Sequence, residues 1–116
     1  MISRAHRFHG YGSLRPVYAR GQTARGPNFG VRTLANPRRR GWRAAVVVSR
    51  KVNKSAVARN RLRRRLYAAL RELGPRLNRP YDIVITVFND NLLDAPPAKL
   101  QDQLQKQLHQ LGLLDK

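Results

Sequence analysis

The chain has 116 residues, with 24 lysines and arginines against 6 aspartates and glutamates, a formal net charge of +18. That length suits one domain around one hydrophobic core, and that charge points to a polyanionic partner, RNA or DNA. There is no cysteine, which excludes disulfides and thiol chemistry, and no apolar run reaches the roughly 20 residues of a membrane span.

The charge is segregated along the chain. Nineteen of the 24 basic residues precede Glu72, and no acid does. Residues 1–12, MISRAHRFHGYG, are basic and carry Phe8 and Tyr11. They lack the apolar core of a secretory signal, so they are expected to be a flexible lead-in to a single domain over 13–116, in a cytoplasmic protein. Ser13–Arg20 reads as a short helix, with Ser13 as N-cap, Gly21 as the glycine after its end, and Leu14, Val17 and Tyr18 on one face. Pro27–Ala35 contains a strand with Phe29, Val31 and Thr33 on one side and Gly30, Arg32 and Leu34 on the other. Asn36–Gly41, NPRRRG, is a turn by its Asn-Pro and Gly. Trp42–Ser49 follows as a strand whose run Ala45–Val48 predicts burial on both faces or a central place. The two strands and the turn predict a β-hairpin.

Arg50–Ser55 is a basic loop in which Asn53 suits left-handed backbone. It leads into the stretch around which the chain is organised, ARNRLRRRLYAALREL. Five of the seven residues from Arg59 to Arg65 are arginine. At about 100° per residue, Leu62, Leu66, Ala69, Leu70 and Leu73 share one helix face. Asn60, Arg64, Tyr67 and Arg71 lie opposite, with Arg61, Arg63 and Arg65 on the flanks. Guanidinium forks bind phosphate bidentately, and an asparagine between two of them can reach a base edge or a sugar hydroxyl. Gly74–Pro75 stops the helix. Tyr81–Phe88, YDIVITVF, is a further strand, so strand, helix and strand imply a βαβ crossover. Ala98–Leu111 is an amphipathic helix with Leu100, Leu104, Leu108 and Leu111 on its stripe.

The chain shows no chemistry of its own. His6 and His9 sit in the lead-in and His109 on a polar helix face. Asp82 opens a strand and suits an arginine partner, while Asp90 and Asp94 share a loop. No metal-ligand spacing, phosphate loop or nucleophile motif occurs. The residues read as an RNA- or DNA-binding module.

The segment SRKVNKSAVARNRLRRRLYAAL resembles the protein subunit of bacterial ribonuclease P. The family's Ser-(Lys/Arg)-Lys-Val-x-Lys-(Ser)-Ala-Val-x-Arg-Asn-Arg pattern is met by Ser49, Arg50, Lys51, Val52, Lys54, Ala56, Val57, Arg59, Asn60 and Arg61, with Asp82-Ile83-Val84 after the helix. The resemblance implies an α+β fold, an α-β sandwich with a four-stranded sheet, packed helices and a left-handed βαβ crossover (ribosomal protein S5 domain 2-like). The fourth strand and the handedness rest on the resemblance alone, since a crossover is right-handed by default. It also implies a holoenzyme that removes the 5′ leader of precursor tRNA, with catalysis in an RNA subunit that holds most of the Mg²⁺. The partners are then that RNA subunit and precursor tRNA, with no membrane and no small-molecule substrate. Arg50, Lys51, Lys54, Arg59, Asn60, Arg61, Arg63, Arg64 and Arg65 carry over to RNA-subunit binding. Leu14, Tyr18, Phe29 and Arg32 carry over to the cleft for the single-stranded leader. Leu14 and Arg32 replace aromatics common in the family, which shifts the balance from stacking towards phosphate contacts. A structural ribosomal protein or a general RNA chaperone is the competing reading.

Overall fold

The computed structural model describes residues 15–36, 41–77 and 80–114. The expected lead-in, the Ser13 cap, Leu14 and the arginines of the NPRRRG turn lie outside them. In chain order come helix α1 (Arg15–Arg20), strands β1 (Gln22–Arg25), β2 (Phe29–Ala35) and β3 (Arg43–Val47), helix α2 (Ala56–Leu73), strand β4 (Tyr81–Val87) and helix α3 (Pro97–Gln110).

The four strands form one mixed sheet in the order β1-β2-β4-β3. This is the four-stranded α+β sheet that the resemblance implied. β1, QTAR, escapes a reading by periodicity because it is short and buries only Ala24. The expected β2–β3 hairpin does not form. β4 lies between the two, antiparallel to β2 and parallel to β3, because the α2 crossover brings it back beside β3. The hairpin is instead β1–β2, whose turn is closed by the Gly26 N–H donating to the Phe29 carbonyl at 3.0 Å. β3 is therefore an edge strand rather than a central one. Ala44 and Val46 are buried under the helices, while Ala45 and Val47 are half-buried on the other side. The Val46 N–H donates to the Tyr67 hydroxyl at 3.1 Å, so α2 covers part of that edge.

Side-chain alternation divides the sheet into two faces. Phe29, Val31, Ala44, Val46, Ile83, Ile85 and Val87 pack against α2 and α3 in the main core. Val17 of α1 packs on Val84 across the other face, with Leu34, Ala45 and Val47 around them. β4, covered on both sides, is accordingly apolar almost throughout.

α2 buries the five residues that its spacing selects, Leu62, Leu66, Ala69, Leu70 and Leu73. Ser55 caps it, with Oγ accepting from the Ala58 N–H at 3.2 Å. Asn53 does not adopt left-handed backbone, since no non-glycine residue among those described has positive φ. It instead accepts the Ser55 N–H on Oδ1 at 2.9 Å, shaping the entry to the helix. Gly74 is also right-handed, at φ −51°. A Cβ there would stand 3.1 Å from the Trp42 ring, a tight contact that glycine avoids where the indole comes close.

α3 buries Leu100, Leu104 and Leu108 as expected, together with Gln107. The Gln107 amide Nε2 donates to the carbonyls of Ala24 and Phe29, both at 3.0 Å, and so ties α3 to the β1–β2 hairpin. The helix ends on Gly112 at φ +82°. The N–H groups of Gly112 and Leu113 return to the carbonyls of His109 and Leu108, each at 3.0 Å, which satisfies the last turn.

Candidate nucleic-acid interface

Two cationic surfaces emerge from this frame. The first is the loop after β3 with the outer face of α2. Arg50, Lys51 and Lys54 are exposed and, with Ala56 and Arg59, line a concavity of about 550 Å³ beside the helix N-terminus. The arginines of α2 divide their work. Arg59 is half-buried, and its Nη1 donates to the carbonyls of Asn53 and Lys54, both at 3.0 Å, which fixes the basic loop. Asn60, Arg61 and Arg64 are exposed. Arg61 meets Asp94 at 3.3 Å in a solvent-exposed pair, an interaction of at most about 1 kcal/mol. Arg63 donates to Asn60 Oδ1. Arg65 turns to the Ala95 carbonyl in the loop before α3, and its Nε is buried without a partner. Tyr67, placed on the outward face by the helical wheel, is half-buried with its hydroxyl on β3. Partners for three of these side chains thus come from elements distant in sequence.

The second surface is a groove of about 270 Å³ on the α1 face, lined by Tyr18, Thr23, Arg25, Gly30, Arg32, Thr86 and Phe88. Tyr18 and Phe88 are exposed by 39% and 38%. Arg25 lies over the Phe88 ring with Cζ 4.4 Å from its centroid, and Arg32 over Tyr18 at 5.5 Å. Arg32 is held further by Nε donating to Thr23 Oγ1 at 3.2 Å and Nη1 donating to the Tyr18 carbonyl at 2.9 Å. Gly30 opens the floor, since a Cβ there would stand 3.0 Å from Phe88 Cζ.

Of the residues expected in a leader cleft, Tyr18 and Arg32 are in this groove. Phe29 is not. It is fully buried, and it pairs with Val87 on the α2–α3 face of the sheet. The second aromatic of the groove is Phe88. The alternation Asp82, Val84, Thr86, Phe88 in the sequence carries that signal, but only once the faces of β4 have been assigned. Arg25 was missed because β1 was.

The remaining titratable groups are engaged or scattered. Asp82 is buried against Arg43 at 2.7 Å, and Asp90 accepts from Asn53 Nδ2 at 3.1 Å. Among the described residues no three His, Cys, Asp or Glu side chains converge as a metal site. No helix among them is long and apolar enough to cross a membrane.

The family model for ribonuclease P matches residues 2–112. The chain belongs to the ribonuclease P protein family. The ribonuclease P protein component of Chloroflexus aurantiacus is 42% identical over 113 residues, spanning 97% of this chain and 82% of that protein. That of Symbiobacterium thermophilum is 30% identical over 115 residues, spanning 99% and 98%. The fold matches the ribonuclease P protein of Staphylococcus aureus with a TM-score of 0.83 at 20% identity, covering 97% of this chain and 100% of that one. It matches that of Thermotoga maritima with a TM-score of 0.71 at 21% identity, covering 89% and 96%. In this ribonuclease P protein the family's basic segment forms the loop and helix of the first surface, and the second surface lies across the sheet from α2 and α3.

Proposed function

We propose that this ribonuclease P protein is the RNA-binding subunit of a holoenzyme that removes the 5′ leader of precursor tRNA, and that catalysis belongs to the RNA subunit and its Mg²⁺. The observation that carries this reading is the pairing of two unlike surfaces. Arg50, Lys51 and Lys54 of the loop and Arg61 and Arg64 of α2 offer dense exposed cations, with the Asn60 amide among them, suited to a folded RNA backbone. The groove of Tyr18, Arg25, Arg32 and Phe88 offers two rings, each beside a guanidinium, suited to a single strand. Arg32 serves there chiefly by holding the Tyr18 edge of the groove, and Arg25 is the cation without a hydrogen bond within the described residues.

The test is cleavage of precursor tRNA at low Mg²⁺ by protein alone, by the RNA subunit from the same genome alone, and by both. Cleavage at the mature 5′ end by the combination alone is expected. Cleavage by the protein alone would overturn the assignment of catalysis. RNA binding that never assists cleavage would favour the chaperone reading.

A further inference from the structure

Among the described residues, three large apolar side chains are exposed: Tyr18, Val57 and Phe88. Two of them line the groove. The third, Val57, stands in the first turn of α2 and is 78% exposed. It belongs to neither hydrophobic cluster. Helix formation does not call for it either, because a β-branched side chain loses χ1 freedom there that alanine does not. The fold therefore gives no reason for a valine at this position.

Its surroundings are informative. On a helix the neighbours of residue 57 lie one and two turns after it. These are Asn60, Arg61 and Arg64, all exposed, and the exposed Lys54 lies in the loop just before the Ser55 cap. Asn60 Oδ1 accepts from Arg63, which leaves the amide Nδ2 as a donor. An apolar side chain ringed by cations is poorly suited to a second copy of a chain of charge +18. It does suit an unpaired nucleotide, which presents a ribose and a base face between two phosphates.

We propose that Val57 packs on the ribose or base face of an unpaired nucleotide in the RNA subunit, with Asn60 beside it and Lys54, Arg61 and Arg64 on the flanking phosphates. The inference rests on the reading of α2 as the RNA-subunit face. It adds to that face a contact that does not depend on charge, and so a place where the identity or unpaired state of one nucleotide matters.

The experiment is a binding titration of the RNA subunit from the same genome with the wild-type protein, Val57→Ala and Val57→Thr over a series of salt concentrations. Thermal unfolding of each protein is followed in parallel. Val57→Ala is expected to weaken binding about tenfold, and Val57→Thr to fall between it and wild type. The slope of log affinity against log salt and the unfolding midpoint should match wild type, since neither a phosphate contact nor a core contact is lost. Unchanged affinity in both variants would overturn the proposal, as would a loss accompanied by a flatter slope. Failure of the wild-type protein itself to bind would instead remove the reading of α2 on which the proposal stands.

Discussion

Arg43 grips Asp82 with Nε and Nη2, at 2.7 and 3.0 Å, and Asn36 adds a third donor at 3.0 Å. The pair sits across the β3–β4 register, where Arg43 and Asp82 are direct partners. Arg43→Met is expected to leave the buried carboxylate with too few donors and to destabilise the fold by about 3–5 kcal/mol in urea unfolding. The two phenylalanines of the sheet make a second contrast. Phe29→Ala should cost about 3–5 kcal/mol of stability, because a fully buried ring is removed from the main core. Phe88→Ala should leave the unfolding midpoint close to wild type and weaken binding of a single-stranded RNA by about 1–3 kcal/mol. A large stability loss for Phe88→Ala with unchanged RNA affinity would reverse these roles.

At the scale of the element, α2 separates a buried apolar face from an exposed cationic one. Leu66→Ala is expected to lower stability by about 2–5 kcal/mol. The double variant Arg61→Ala, Arg64→Ala should unfold like wild type and flatten the salt dependence of RNA binding by about 1–2 units of log–log slope. The apolar face of α2 was legible in the sequence because five residues recur at helical spacing. So was β4, a strong run of β-branched residues. Strand pairing was not legible. Adjacent strands joined by a short turn read as a hairpin, and nothing local to β2 or β3 announces that residues 81–87 will come between them. Tyr67, Arg65 and Gln107 escaped for the same reason. Each sits on the polar part of a helical wheel, yet each is drawn inward by a backbone group from another element: the Val46 N–H, the Ala95 carbonyl, and the carbonyls of Ala24 and Phe29.

At the scale of the molecule, segments of the two cationic surfaces leave the sheet at the same end. β3 and β4 run parallel and finish together. β3 leads to the basic loop and β4 to Phe88, and the Asn53–Asp90 hydrogen bond ties the segments that follow them. The order of the strands has a further consequence, for synthesis. The central strand β4 is the last of the four to be translated. Until the ribosome has added Val87, β3 has no partner, and the face on which α2 rests is unfinished. The chain made by then carries nearly all of the protein's positive charge and little negative charge. It emerges as an unfolded polycation beside ribosomal RNA, and its sheet closes only when one late strand, apolar but for Asp82 and Thr86, slides into the middle.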